Sequence, residues 1–184
     1  MRVITGTAKG MRLVAPPGDD VRPTYDRVKE AIFSIIQFDI EGRRVLDLFA
    51  GSGQLGIEAL SRGAQTATFV DSSRESIAAI KENLDKTRLS KSAVVLQTDA
   101  VSFIKSYRGA EYDVVLLDPP YYEELLGEVL SAAAQHTSQG GVIVCESANK
   151  AFEFPEEVGE FVLCVNRKYS NTVVGVYRHR TMVE

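Results

Sequence analysis

Arg44-Val45-Leu46-Asp47-Leu48-Phe49-Ala50-Gly51-Ser52-Gly53-Gln54-Leu55-Gly56-Ile57-Glu58-Ala59 decides how this chain is read. Val45–Phe49 is a short apolar run interrupted by Asp47, which predicts a strand. The glycines predict a tight turn, and Leu55–Arg62 predicts a helix. Gly51 to Gly56 is a literal G-x-G-x-x-G in the setting that motif needs, after a strand and opening a helix. Such glycines let a ligand approach the backbone, and the helix N-terminus favours polar or anionic groups. Taken alone, the motif is a weak signal, and a tight strand-to-helix turn without a ligand is its bland alternative.

The same alternation continues downstream. Ala67–Val70 predicts a strand ending at Asp71, and Ser73 opens a helix with Ile77, Ile80 and Leu84 on one face. Val94–Leu96 predicts a strand ending at Asp99, Ala100–Ser106 a short helix, and Tyr112–Leu117 an apolar strand ending at Asp118. A helix over 123–135 and a strand over 141–145 follow. Phe161–Val165 and Thr172–Tyr177 close the chain as two strands joined at Ser170-Asn171. Strands alternating with helices predict an α/β fold with a doubly wound, mostly parallel seven-stranded sheet. The last strand pair, with no helix between, predicts an antiparallel hairpin. Upstream, Arg2–Thr5 and Met11–Val14 predict a short β-hairpin around Lys9-Gly10, and Pro16–Asp20 a loop. Thr24 is placed to cap a helix beginning near Tyr25, with Val28, Ala31, Ile32, Ile35 and Ile36 on its buried face. The chain reads as one domain, an extension over 1–40 and a Rossmann-like core over 41–184.

Composition agrees with a globular protein. Of 184 residues, 45% are hydrophobic and 25% charged, an ordinary balance. No apolar stretch approaches the ~20 residues of a membrane span, and residues 1–6 lack the apolar core of a signal peptide. A cytoplasmic protein is expected, with Cys145 and Cys164 as buried reduced thiols. His136 and His179 lack nearby ligand-type partners, so no metal site is expected. The net charge of −4 is unevenly spread. Residues 1–29 hold six Lys and Arg against three acids, and 166–184 hold four against one, so each end carries +3 and the middle −10. If the ends meet they form a basic patch; otherwise they are only solvated.

Four acids carry the chemistry. Asp71 stands 20 residues after Gly51, where a carboxylate can accept both ribose hydroxyls of a nucleoside cofactor or cap the next helix. Asp47 lies inside its strand, where it would meet a cationic or amino group and repel a pyrophosphate, or pair with backbone amides. Asp99 suits an adenine amine or a helix cap. Asp118-Pro119-Pro120-Tyr121 follows an apolar strand, at the edge where open α/β sheets bind ligands. Its prolines fix φ and remove two backbone donors. An exocyclic base amine is a poor nucleophile because its lone pair is delocalised into the ring. The Asp118 carboxylate and the Pro119 carbonyl can each accept one of its N–H bonds, localising that lone pair. Tyr121 can stack on the base, a contact worth ~1–3 kcal/mol. A rigid proline turn is the bland alternative.

At these residues the chain resembles class I methyltransferases that act on amines. Its closer similarity is to the RsmD family, bacterial 16S rRNA guanine-N2 methyltransferases, over essentially the full length. The resemblance rests on Arg22–Glu30, Leu46–Ala59, Val70-Asp71, Asp118–Tyr121, Lys168-Tyr169, Gly6 and Lys9-Gly10. Tyr25 departs from the expected small residue, and Ser170 from the expected Gly. The resemblance implies S-adenosylmethionine as cofactor, S-adenosylhomocysteine as product, and no metal. Asp71 would hold the ribose and Asp99 the adenine amine. Asp47 with the Gly51–Gly53 backbone would hold the methionine part, and Phe49, Gly56, Ser72, Ala100, Thr24 and Arg27 would complete the cofactor site. Arg22 would lie with Thr24 and Arg27 beside cofactor or RNA backbone, and Lys9, Arg12, Arg167 and Lys168 would contact phosphates. The implied partner is 16S rRNA or a small-subunit assembly intermediate, met by a monomer.

Other readings share parts of this pattern. A dinucleotide-dependent oxidoreductase explains the glycine loop and Asp71 but neither Asp47 nor Asp118–Tyr121. A DNA or RNA adenine-N6 methyltransferase uses the same catalytic loop, usually with a larger target-recognition region. A protein-glutamine methyltransferase favours Asn in place of Asp118. A non-catalytic RNA-binding domain would need no intact loop.

Overall fold

The computed structural model describes residues 1–17, 23–119, 123–148, 152–169 and 172–183. Among these residues, five α-helices are α1 (Pro23–Ile35), α2 (Gln54–Ser61), α3 (Arg74–Thr87), α4 (Ala100–Ser106) and α5 (Glu123–Ala134). The strands are β1 (Arg44–Leu48), β2 (Thr66–Asp71), β3 (Ala93–Gln97), β4 (Tyr112–Leu117), β5 (Thr137–Ser147), β6 (Glu157–Val158), β7 (Phe161–Tyr169) and β8 (Thr172–His179). They form one sheet in the order β3-β2-β1-β4-β5-β8-β7-β6. β1 to β5 run parallel, and β8, β7 and β6 add antiparallel strands at one end. The expected seven strands are present, and β6 is an eighth. Two residues carry no periodicity, so only its pairing with Val162 and Phe161 reveals it.

Both faces of the sheet are covered, which is why its central strands read as apolar runs. Successive side chains point to opposite faces. Val45, Phe69, Leu116, Val144, Val174 and Val176 face one core with residues of α1, α2 and α3. Leu46, Leu48, Val115, Leu117, Ile143, Cys145, Val173 and Tyr177 face the other, with α4 and α5.

Three expectations need correction. The N-terminal hairpin forms but is shorter than expected: Arg2 bridges Arg12, and the Val3, Gly10 and Leu13 N–H groups donate to the Met11, Val3 and Met1 carbonyls at 3.0, 2.8 and 3.2 Å. Ile4 and Thr5 instead donate to the Glu58 carboxylate at 2.8 and 3.0 Å. Glu58 is fully buried, and the Arg62 Nε at 2.8 Å and Lys29 Nζ at 3.5 Å offset its charge. Residues 1–14 are therefore a strap laid on α2 and α3. Gly6 lets it lie close, since a Cβ there would stand 1.7 Å from the Ser61 carbonyl oxygen. The first helix begins at Pro23, ahead of Thr24, because proline suits a first helical turn. Cys145 is buried as expected, and burial pushes its thiol well up. Cys164 is exposed: a bulge between Leu163 and Val165 leaves it unmatched in the ladder.

Candidate active site

The first half of the site is the turn after β1. Phe49, Gly51 and Gly53 all have positive φ, at 63°, 55° and 76°. Backbone bonds hold the turn: Ala50 donates to the Val70 carbonyl at 3.0 Å and Gly53 to that of Ala50 at 2.7 Å. The Asp71 carboxylate braces it from β2, accepting Gly51 N–H on Oδ2 and Ser73 N–H on Oδ1, both at 2.8 Å. A carboxylate offers about four lone-pair directions, so Asp71 retains acceptor capacity beyond these two bonds. Capping of α3 falls to Ser73, whose hydroxyl accepts Ser76 N–H.

The three motif glycines have different reasons. A Cβ on Gly51 would meet nothing within 4 Å, so the backbone there borders open space. On Gly53 it would press on Ile80 and Phe69 at 3.1 and 3.3 Å. On Gly56 it would collide with the Phe69 ring at 2.3 Å, and the Gly56 N–H donates to Asp47 Oδ2 at 2.8 Å. Gly56 thus sets helix–sheet packing and anchors Asp47.

Asn83, which sequence reasoning missed, ties the turn to the strap. Its Nδ2 donates to the Ser52 and Val14 carbonyls, both at 2.9 Å, and its Oδ1 accepts Val14 N–H at 2.8 Å. Asp99 caps α4 by accepting Ser102 N–H at 2.8 Å, and that bond holds its carboxyl below the usual range. Nearby, Ser72 is exposed, Ala100 buried and Phe49 half-buried.

The second half gathers acids. Alternation along each strand puts Asp47 and Asp71 on the α1–α3 face, with Val45 and Phe69. Glu146 shares the parity of Val142 and Val144, and Asp118 continues that of Val114 and Leu116. Four carboxyls therefore line one face near the carboxyl ends of four adjacent strands. Asp47 is 2% exposed and Glu146 6%. Burial pushes both well above the ordinary carboxyl range, and neighbouring acids push the same way: Asp118 and Asp71 on Asp47, Asp118 and Asp47 on Glu146. The Gly56 N–H partly opposes this at Asp47. Sequence reasoning also missed Glu146; its one signal is an acid ending the buried run Val142–Cys145.

Register extends this arrangement across the sheet. Leu117 pairs with Cys145, so Asp118 and Glu146 follow side by side. Glu146 pairs with Val174, and Val174 with Arg167. A row on one face then runs Asp118, Glu146, Val174, Arg167. Lys168 pairs with Val173 and points to the other face. Arg167 and Lys168, both exposed, are thus separated by the sheet. Lys9 and Arg12 are exposed on the strap, and Arg27 on α1. The two basic ends rest on different elements, the strap on α2 and α3, the other on β7. Arg22, Pro120, Tyr121, Ser170, Asn171 and the side chains of Thr24 and Tyr25 lie outside the described residues. Pro119 is half-buried and Asp118 exposed. Among the described residues no cluster of His, Cys, Asp and Glu could hold a metal ion, and no helix is long and apolar enough to cross a membrane.

A family model described as Conserved hypothetical protein 95 matches residues 1–178. The chain is 41% identical to the Bacillus subtilis (strain 168) protein named "Putative rRNA methyltransferase YlbH", over 98% of this chain and 100% of that one. It is 37% identical to Ribosomal RNA small subunit methyltransferase D of Escherichia coli K12, over 71% of this chain and 65% of that one. Among solved structures, the protein named "Putative methyltransferase yhhF from Escherichia coli" superposes with a TM-score of 0.86 at 30% identity, covering 97% of each chain.

Proposed function

The chain belongs to the RsmD family of methyltransferases, and from that premise we propose that it methylates the exocyclic N2 of a guanine in 16S rRNA, using S-adenosylmethionine. The substrate is the small-subunit particle or an assembly intermediate of it, and the enzyme works as a cytoplasmic monomer. The observation that carries this reading is the row of Asp71, Asp47, Asp118 and Glu146 along one face of the sheet edge. The negative charge these acids share suits a cationic ligand and repels a pyrophosphate. The residues fit the cofactor: Gly51 borders open space, and Asp71 keeps acceptor capacity beside it. Asp71 would take the ribose hydroxyls, Asp47 and the 51–53 backbone the methionine end, and Asp99 the adenine amine, with Phe49, Ser72 and Ala100 around them. When bound, S-adenosylmethionine supplies an electrophilic methyl on a sulfonium, which keeps the broken bond's electron pair and leaves as S-adenosylhomocysteine.

The protein's own part is positioning and charge. Asp118 and the Pro119 carbonyl accept the two N–H bonds of the amine and aim its lone pair. As the new C–N bond forms the nitrogen becomes cationic, so the Asp118 carboxylate helps more in the transition state than before it. The nitrogen then gives one proton to Asp118 or to water. Tyr121 stacks on the base. A nucleotide laid over β5 and β8, its amine at Asp118, would turn its phosphates toward Arg167 at the end of the same row. Lys9, Arg12, Arg22, Arg27 and Lys168 would meet more distant phosphates. The test is transfer of labelled methyl to small-subunit particles and 16S rRNA lacking the modification, then nucleoside digestion. Label in N2-methylguanosine is the expected result. Label only in N6-methyladenosine, or none with any RNA substrate, would sink the reading.

A further inference from the structure

Glu146 and Glu58 are both buried acids, but their surroundings differ in kind. Glu58 accepts two backbone N–H bonds and pairs with Arg62 and Lys29, as a structural acid must. Around Glu146, β4 supplies Asp118 and β1 supplies Asp47. β8 supplies apolar Val174 and Gly175. β7 supplies Arg167, exposed and separated from it by Val174. On α1, Asp26 pairs with Arg2 and Lys29 with Glu58, while Arg27 and Glu30 are exposed. Among the described residues, the charged groups acting most directly on Glu146 are thus carboxyls.

We propose that Glu146 is a positioning residue of the methyl-transfer site, carrying a proton in the working enzyme so that the negative charge it shares with Asp118 rests on Asp118. The proposal builds on the methyltransferase reading above. Two adjacent carboxyls, one of them buried, do not both ionise readily. The charge settles where water reaches, and Asp118 is exposed whereas Glu146 is not. The pair titrates as a unit. An ionised Glu146 would instead push the proton onto Asp118 and remove the acceptor the amine needs. The remaining strain of like charges in the row is what a cationic ligand relieves.

The test compares wild type with Glu146→Gln and Glu146→Ala, measuring kcat/KM against pH, cofactor affinity by calorimetry, and the protonated-carboxyl C=O stretch by infrared difference spectroscopy. Glutamine mimics a neutral acid, so Glu146→Gln should keep its rate within about threefold near neutral pH, with the acid limb of the profile unmoved. Glu146→Ala should lose roughly tenfold in rate with cofactor affinity unchanged, the loss expected when a positioning group goes. The infrared band should be present at neutral pH in an Asp47→Asn background and vanish when Glu146→Gln is added. A fall of about 10²-fold in Glu146→Gln would mean that the charged form acts, and would overturn the proposal. So would an acid limb moved to lower pH, since removing a neighbouring negative charge makes Asp118 easier to ionise. An alanine variant that matches wild type in rate and profile, or an absent band, overturns it too. The infrared arm needs no activity, so it still decides on the proton if wild type fails to bind S-adenosylmethionine and the methyltransferase reading falls.

Discussion

The carboxyl edge of the sheet has two halves that use the same residue type in opposite ways. Under the turn after β1, the acids are committed to backbone donors. Asp71 holds Gly51 and Ser73, Asp47 holds Gly56, and Asn83 fastens Ser52 from behind. Across β4 and β5, Glu146 is buried and Asp118 acts on it as a like charge. A site braced by fixed backbone bonds is preorganised before its ligand arrives and costs little to organise. A site balanced by the placement of one proton keeps a charge ready for a group that becomes cationic only during reaction. The proposed cofactor belongs to the first half and the reacting amine to the second.

Loss of Asp118 should expose that division most strongly. Asp118→Ala is expected to abolish turnover with cofactor affinity nearly intact, and Asp118→Asn to cost about 10²-fold or more, as for one electrostatic stabiliser. Asp71→Ala should do the reverse, weakening cofactor binding by on the order of 1–3 kcal/mol. Calorimetry beside a labelled-methyl assay checks both. If Asp118→Ala weakened the cofactor as much as Asp71→Ala, the two halves would not be separate.

The motif glycines sharpen the braced half. Gly56→Ala drives a methyl into Phe69 and toward Asp47, so it should lower stability by about 1–3 kcal/mol. Gly51→Ala meets no neighbour but must hold a φ of 55°, a cost of about 1–2 kcal/mol. Its mark should be weaker cofactor binding at the open backbone. Thermal melts with and without S-adenosylmethionine separate the two; an equal loss of the cofactor's stabilising shift in both variants would remove the distinction.

Protons test one acid of each half through stability. Asp47 and Glu146 have carboxyls raised by burial, so the folded state holds protons that the unfolded chain has released. Their contribution is fully present below the unfolded value near 4 and is lost as pH rises toward their folded values. In that window each proton steepens the decline by up to about 1.4 kcal/mol per pH unit. Asp47→Asn and Glu146→Gln should each flatten it by one proton, read from urea melts across pH. Variants with the wild-type slope would show these acids ionised when folded.

The smallest effect concerns the rim. Arg167→Ala and Lys168→Ala should each reduce the salt dependence of RNA binding by just under one unit of slope. Arg167→Ala should also lower methyl transfer at constant salt, because Arg167 shares the face of Asp118 and Lys168 does not. Equal effects on transfer would mean the cross-strand row does not guide the nucleotide.

Much of this was legible along the chain. Apolar runs, glycine turns and helical spacing located the five parallel strands, the closing hairpin and the turn at 51–56, because these signals reside within a few residues of each other. The chemistry of Asp47, Asp71 and Asp118 was also local, each standing at or near a strand's end. Other features were not local. Glu58 drew Ile4 and Thr5 out of the expected hairpin from more than fifty residues away. Gly56 looked like part of a ligand loop until Phe69 was found against it.

The sequence by itself determined the element order, the sheet class and which acids end the strands, since period and turn chemistry are written locally. Only the tertiary structure decided that β5 pairs with β4 and β8 in the register that sets Glu146 beside Asp118, puts Arg167 in their row and turns Lys168 away. Register depends on pairing between distant segments, and a slip of one residue moves a side chain to the opposite face. Burial, which sets where the proton sits, likewise exists only once the helices cover the sheet.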